Sequence, residues 1–98
     1  MKFLTDPLTY SASEDLLLGL QGLPHVRTVG AATGGGSGRV GHARLMPGWR
    51  LTVSSALTLD RDGRCIEGEG IPIDISVPID DRGASAWERK LIGVVDTR

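Results

Sequence analysis

The chain has 98 residues, of which 40% are apolar, 23% charged and 4% aromatic, and its net charge is −1. That length supports one small domain with a thin core, burying roughly 60–65% of its unfolded surface. Eleven Lys and Arg against twelve Asp and Glu leave no electrostatic footprint for nucleic acid, and the few aromatics leave no base-stacking platform.

No apolar run nears the roughly 20 residues needed to cross a bilayer. The start, Met1 to Pro7, lacks the apolar stretch of a signal peptide. The single cysteine, Cys65, excludes an internal disulfide and a cysteine-built zinc site, and reads as a small buried apolar residue. No cofactor or metal is expected.

Taken in chain order, Lys2 to Thr5 reads as a short strand, broken at Asp6-Pro7 because proline restricts the residue before it. A helix is predicted from about Ser11 to Gln21. Ala12, Leu16 and Leu20 form its apolar stripe, Leu17 widens it, and Gly22 with Pro24 ends it. Val26 to Ala32 looks like a buried strand. The glycine-rich stretch Gly34 to Gly38 reads as a mobile loop.

Arg39 to Met46 is a further expected strand, with Pro47-Gly48 as a turn. Leu51, Val53, Ser55, Leu57 and Leu59 alternate with Thr52, Ser54, Ala56 and Thr58, the period of two of a half-buried strand. Asp62-Gly63 signals a hairpin turn. Ile71, Ile73, Ile75 and Val77 alternate again, and Pro72 and Pro78 confine this stretch to a sheet edge or an extended loop. The last element is a helix from about Ser85 to Val95, opened by the capping box Ser85/Glu88. The order is β-α-β-β-β-β-α, an α/β class with a twisted, mostly β sheet and two helices.

Ser11 is the first residue with chemistry to offer. It stands where a strand and tight turn enter a helix, beside unpaired backbone N–H groups that favour negative charge. A serine there can attack a carbonyl while those amides stabilise the oxyanion. Ser11-Ala12-Ser13-Glu14 is equally a capping box, so the residues alone leave both readings open. Glu67 and Glu69 flank Gly68 as paired carboxylates, or simply as two solvated rim residues. His25 and His42 are the two histidines, and neither has a spacing that predicts contact with Ser11. Gly36-x-Gly38-x-x-Gly41 matches a dinucleotide fingerprint in letters, but no helical pattern follows it. Asp60 to Gly63 lacks the remaining ligands of a calcium loop and reads as a turn.

Three stretches taken together carry a family resemblance: Leu4 to Glu14, Val29 to Gly35, and Ile66 to Val77. In this order, over about residues 2–80, the chain resembles the C-terminal half of the tail-specific, or C-terminal processing, serine peptidases, including their tricorn-type branch. The resemblance implies a crotonase-like fold, of which residues 1–98 would be one half of the catalytic domain, and hydrolysis of peptide bonds. Ser11 matches the nucleophile of the family's S-A-x-E motif, and the N–H of Ala12 would help form the oxyanion hole. In one branch a lysine base follows the T-x-G motif. Gly36 stands at that position here, and Arg39 is no substitute because arginine keeps its proton.

In the tricorn-type branch the base is a histidine, oriented by a serine, both upstream of the nucleophile. The missing N-terminal half would have to supply them. A supporting glutamate matches Glu67, with Glu69 as the fallback. The family's Pro-Asp pair is altered here to Pro72-Ile73-Asp74.

The resemblance implies a peptide or protein substrate and allows a homo-oligomer. Its principal alternative is a non-catalytic module that binds a hydrophobic ligand on the same scaffold, as retinoid-binding relatives do. An acyl-CoA enzyme of the same fold is a more distant third.

Overall fold

The computed structural model describes residues 1–79 and 82–96. Its elements are β1 (Lys2–Thr5), α1 (Ala12–Leu20), β2 (Arg27–Gly30), β3 (Val40–Met46), β4 (Trp49–Ser54), β5 (Ile75–Ser76) and α2 (Ala84–Val95). This is a mixed α/β architecture whose strands fall into two small sheets instead of one. The first sheet is parallel, in the order β1-β2-β5, and the second is the antiparallel hairpin β3-β4.

Parallel pairing requires a crossover between strands. Here α1 supplies the one from β1 to β2. Lys2 pairs with Arg27 and Thr5 with Gly30, and Val29 pairs with Ile75. Successive side chains point to opposite faces of a strand. Phe3 therefore packs on one face with Leu17, Leu18, Ile66 and Ile71. Val29, Ile75 and Val77 pack on the other with Trp87, Leu91 and Val94 of α2. The Trp87 indole N–H donates to the Val77 carbonyl at 2.9 Å, and the Lys2 ammonium donates to the Val94 and Val95 carbonyls, both at 3.1 Å, where α2 ends.

Several sequence expectations shift. The expected apolar stripe of α1 is not its core face: Leu17 is buried, while Leu16 is 56% exposed. The reason is Glu14, which takes the inward side of the first turn and is fully buried. Helix α2 starts at Ala84 with Gly83 as its N-cap and no side-chain cap, so Ser85 lies inside the first turn and not at its head. The alternating run 51–59 leaves the hairpin after Ser54, with only an isolated bridge from Leu59 to Cys65 beyond it. The Asp60 to Arg64 turn closes that bridge: the Asp60 carboxylate accepts the Asp62 and Arg64 amides, both at 2.9 Å. Strand β5 is at a sheet edge, and Asp74 pins its entry by accepting the Thr28 amide at 2.8 Å.

The hairpin β3-β4 projects from this body. Every residue from His42 to Leu57 is exposed. The overall dimensions are 55 × 33 × 17 Å and the radius of gyration is 16.4 Å, against about 13 Å for a compact chain of this length.

Candidate active site

Ligands of open parallel sheets bind beyond the carboxyl ends of the strands. Three segments leave this sheet at that end: the turn from β1 to α1, the glycine loop after β2, and the chain after β5. The first is built on Asp6, whose carboxylate accepts the Leu8 and Thr9 amides at 2.8 and 3.1 Å. It delivers Ser11 with φ 56° and ψ −123°, the one non-glycine residue with positive φ among the described residues. Such a conformation costs a side-chain-bearing residue about 1–3 kcal/mol and persists only where its surroundings over-determine it.

Ser11 is exposed and forms a capping box with Glu14: its side chain faces the Glu14 amide, without a hydrogen bond of full geometry. The Ser11 amide donates to Glu14 Oε2 at 3.0 Å, and the Ser11 carbonyl accepts the Glu14 and Asp15 amides at 2.9 and 3.2 Å. The hydroxyl thus lies at the exposed start of the helix. The Ala12 N–H has no acceptor among the described residues, so a donor is available beside that hydroxyl.

Glu14 is the residue that sequence reasoning missed. Its carboxylate is 0% exposed and accepts Gly35 N–H at 2.7 Å and Gly36 N–H at 2.8 Å as well as Ser11 N–H. Burial pushes the carboxyl up. Hydrogen bonds from the Thr33 hydroxyl and the amides of Gly36, Gly35 and Ser11 outweigh it and hold the group below its ordinary value. The glycine loop is thus tied down from Gly34 to Gly36: Gly34 N–H also donates to the Thr9 carbonyl at 2.9 Å. Gly35 has φ 78°, and a Cβ there would sit 2.6 Å from the Gly70 nitrogen and the Ile66 oxygen. A signal for Glu14 did exist in the sequence. A run of glycine amides outside regular structure needs an acceptor, and Glu14 lies three residues before the buried Leu17.

The segment that leads into β5 brings the Glu67 turn onto the same loop. Gly68 N–H donates to the Gly35 carbonyl at 2.8 Å, and the buried Thr33 hydroxyl accepts the Ile71 amide at 2.7 Å. Ser11 and Glu67 are thereby joined through Glu14 and Gly35. Glu67 Oε2 is buried without a hydrogen-bond partner and lies 3.5 Å from where a Gly38 Cβ would be. The Ser37 hydroxyl is a second such orphan. Buried polar groups of this kind call for a partner or another physical explanation. Glu69 behaves differently: it is exposed and pairs with Arg64 at 3.1 Å.

The histidines lie elsewhere. His25 precedes β2 at the opposite end of the sheet from Ser11, and its carbonyl accepts from the N-terminal ammonium at 2.7 Å. His42 is an exposed residue of β3, paired with Thr52. Strand β3, not a helix, follows the glycines, which removes the dinucleotide reading. Among the described residues no cluster of His, Cys, Asp or Glu is arranged to hold a metal, and no helix is long and apolar enough to cross a membrane.

The sequence profile of peptidase family S41 matches residues 1–77. No curated protein matches. Among solved structures, a candidate peptidase from Parabacteroides merdae is 30% identical with a TM-score of 0.76, over 98% of this chain and 31% of its own. A lipoprotein from Streptococcus agalactiae is 26% identical with a TM-score of 0.63, over 95% of this chain and 31% of its own. Mature CPAF complexed with lactacystin has a TM-score of 0.77 at 19% identity, over 95% of this chain and 19% of its own, a likeness of fold. The chain therefore spans between a fifth and a third of the length of these structures.

Proposed function

The chain belongs to peptidase family S41, and from that premise we propose that it carries the nucleophile of a serine peptidase of the tail-specific type, on part of a crotonase-like fold. The observation that carries this reading is the strained, exposed Ser11, held at positive φ where the chain enters α1. In the proposed reaction Ser11 Oγ attacks the carbonyl carbon of a peptide bond. The hydroxyl proton passes to a base, and the Ala12 amide receives the developing oxyanion. Neither histidine of this chain has the placement for that base. Gly36 offers no side chain where one branch has lysine. A histidine from a further segment of the catalytic domain, as in the tricorn-type branch, completes the site. Glu67 supports the polar network around that histidine through its buried, unpartnered oxygen.

On this reading the 98 residues alone hydrolyse almost nothing, because loss of a triad member removes several orders of magnitude of rate. The test is fluorophosphonate labelling and peptide hydrolysis by the full-length protein that carries this chain. Both are expected to vanish in Ser11→Ala. Undiminished activity in that variant would sink the proposal.

A further inference from the structure

Tyr10 immediately precedes Ser11 and is 54% exposed. Its ring lies directly on the backbone of the glycine loop. A Cβ placed at Gly34 would stand 2.6 Å from the ring's Cδ2 and 3.1 Å from its Cε2. One placed at Gly36 would run into Cε1, Cζ and the hydroxyl. A side chain at either glycine would displace the ring, and at Gly34 it would also meet the Pro7 carbonyl oxygen at 2.6 Å.

The same segment is held through its amides by Glu14, at 2.7 Å from the Gly35 nitrogen and 2.8 Å from the Gly36 nitrogen. Ring and carboxylate thus bear on the same loop. The Glu14 oxygen that takes Gly36 N–H is also the one that takes Ser11 N–H. The clamp on the loop is thus one bond removed from the backbone of Ser11.

Resting on the peptidase reading above, we infer that Tyr10 is a positioning residue for the Ser11 nucleophile. The ring holds the loop flat, the loop fixes the Glu14 carboxylate, and Glu14 keeps Ser11 in its positive-φ conformation. Without the ring, Ser11 relaxes toward the extended backbone of an ordinary N-cap, which moves its hydroxyl from the place that the positive φ gives it.

The test measures the rate of fluorophosphonate acylation of Ser11 and the kcat and KM for a peptide substrate, in the full-length protein. Tyr10→Phe keeps the ring and is expected to stay within about threefold of the parent. Tyr10→Ala and Tyr10→Leu are expected to lose about tenfold or more in acylation rate and in kcat, with KM little changed, since small misplacements of a reacting group cost this much. Melting temperature is recorded for each, because a merely structural role would lower it without moving the rate of the folded fraction. Gly36→Ala, whose methyl meets the ring, is expected to be less damaging when combined with Tyr10→Ala than the two single effects predict. Parent-rate acylation of folded Tyr10→Ala or Tyr10→Leu overturns the inference and leaves the peptidase reading intact. Labelling that persists in Ser11→Ala overturns the peptidase reading instead.

Discussion

The knot around Ser11 and the hairpin β3-β4 are opposites in composition and in outcome. The knot is made of glycines, serines, a threonine and an acid, the residues of a loop, yet Gly35, Thr33 and Glu14 are buried. The hairpin carries Val40, Leu45, Met46, Trp49, Leu51 and Val53, the residues of a core, yet all of them are exposed, Trp49 by 65%. Apolar alternation specifies a strand but not what covers it. Glycines confer freedom only where nothing accepts their amides. Order in the knot comes from one carboxylate satisfying donors from two segments, which hydrophobic periodicity does not record.

The largest effect that would break this contrast is chemical. Ser11→Ala in the full-length protein is expected to reduce peptide hydrolysis by at least ~10³-fold while costing no more stability than a helix cap, about 1 kcal/mol. A larger loss would return Ser11 to a structural role.

Next comes Glu14→Ala, which orphans the amides of Ser11, Gly35 and Gly36 in a buried place. At about 1–3 kcal/mol for each unsatisfied group, partly relieved by water, a loss of roughly 3–5 kcal/mol in denaturant unfolding is expected. Glu14→Gln retains one acceptor oxygen and is expected to cost less.

The acid limb of stability gives a third measure. The Glu14 carboxyl is held below its ordinary value in the fold. Its contribution is therefore fully present above the unfolded carboxyl value, about 4.3, and is lost as pH falls through the lower folded-state value. Unfolding followed from neutral pH downward should show a shallower acid limb in Glu14→Gln than in the parent. Parallel limbs would mean that the carboxylate is not the ionised anchor of the loop.

The smallest effect belongs to the hairpin. Leu51→Thr and Trp49→Ser in the 98-residue chain should change stability by no more than about 0.5 kcal/mol, as fits side chains that already face water. A clear loss in thermal unfolding would show that the hairpin is packed in solution.

Local elements were legible because their causes are local. The Lys2–Thr5 strand, the helix stop at Gly22 and Pro24, the Pro47-Gly48 turn and the Asp60 to Arg64 turn each follow from residues within a few positions of one another. Of the candidate site, the entry of Ser11 into a helix was legible, through a strand-turn-helix pattern that two readings shared. Glu14 was hidden because a capping glutamate and a buried anchor look alike in one dimension. The distinction lies in amides contributed by Gly35 and Gly36, more than twenty positions away. The two acids at 67 and 69 were alike by spacing, and they separated when one turned toward Gly38 and the other toward Arg64.

By itself the sequence determined where the chain extends, coils and turns, which family's motifs it bears, and that a serine enters a helix after a tight turn. Tertiary structure alone decided that this serine sits exposed at positive φ, that Glu14 and not a leucine stripe faces inward, and that Tyr10 lies over the glycines. The physical reason is that backbone propensity is set by neighbours along the chain. Burial of a charge and strain at a single φ are tolerated only when donors and surfaces distant in sequence converge on them.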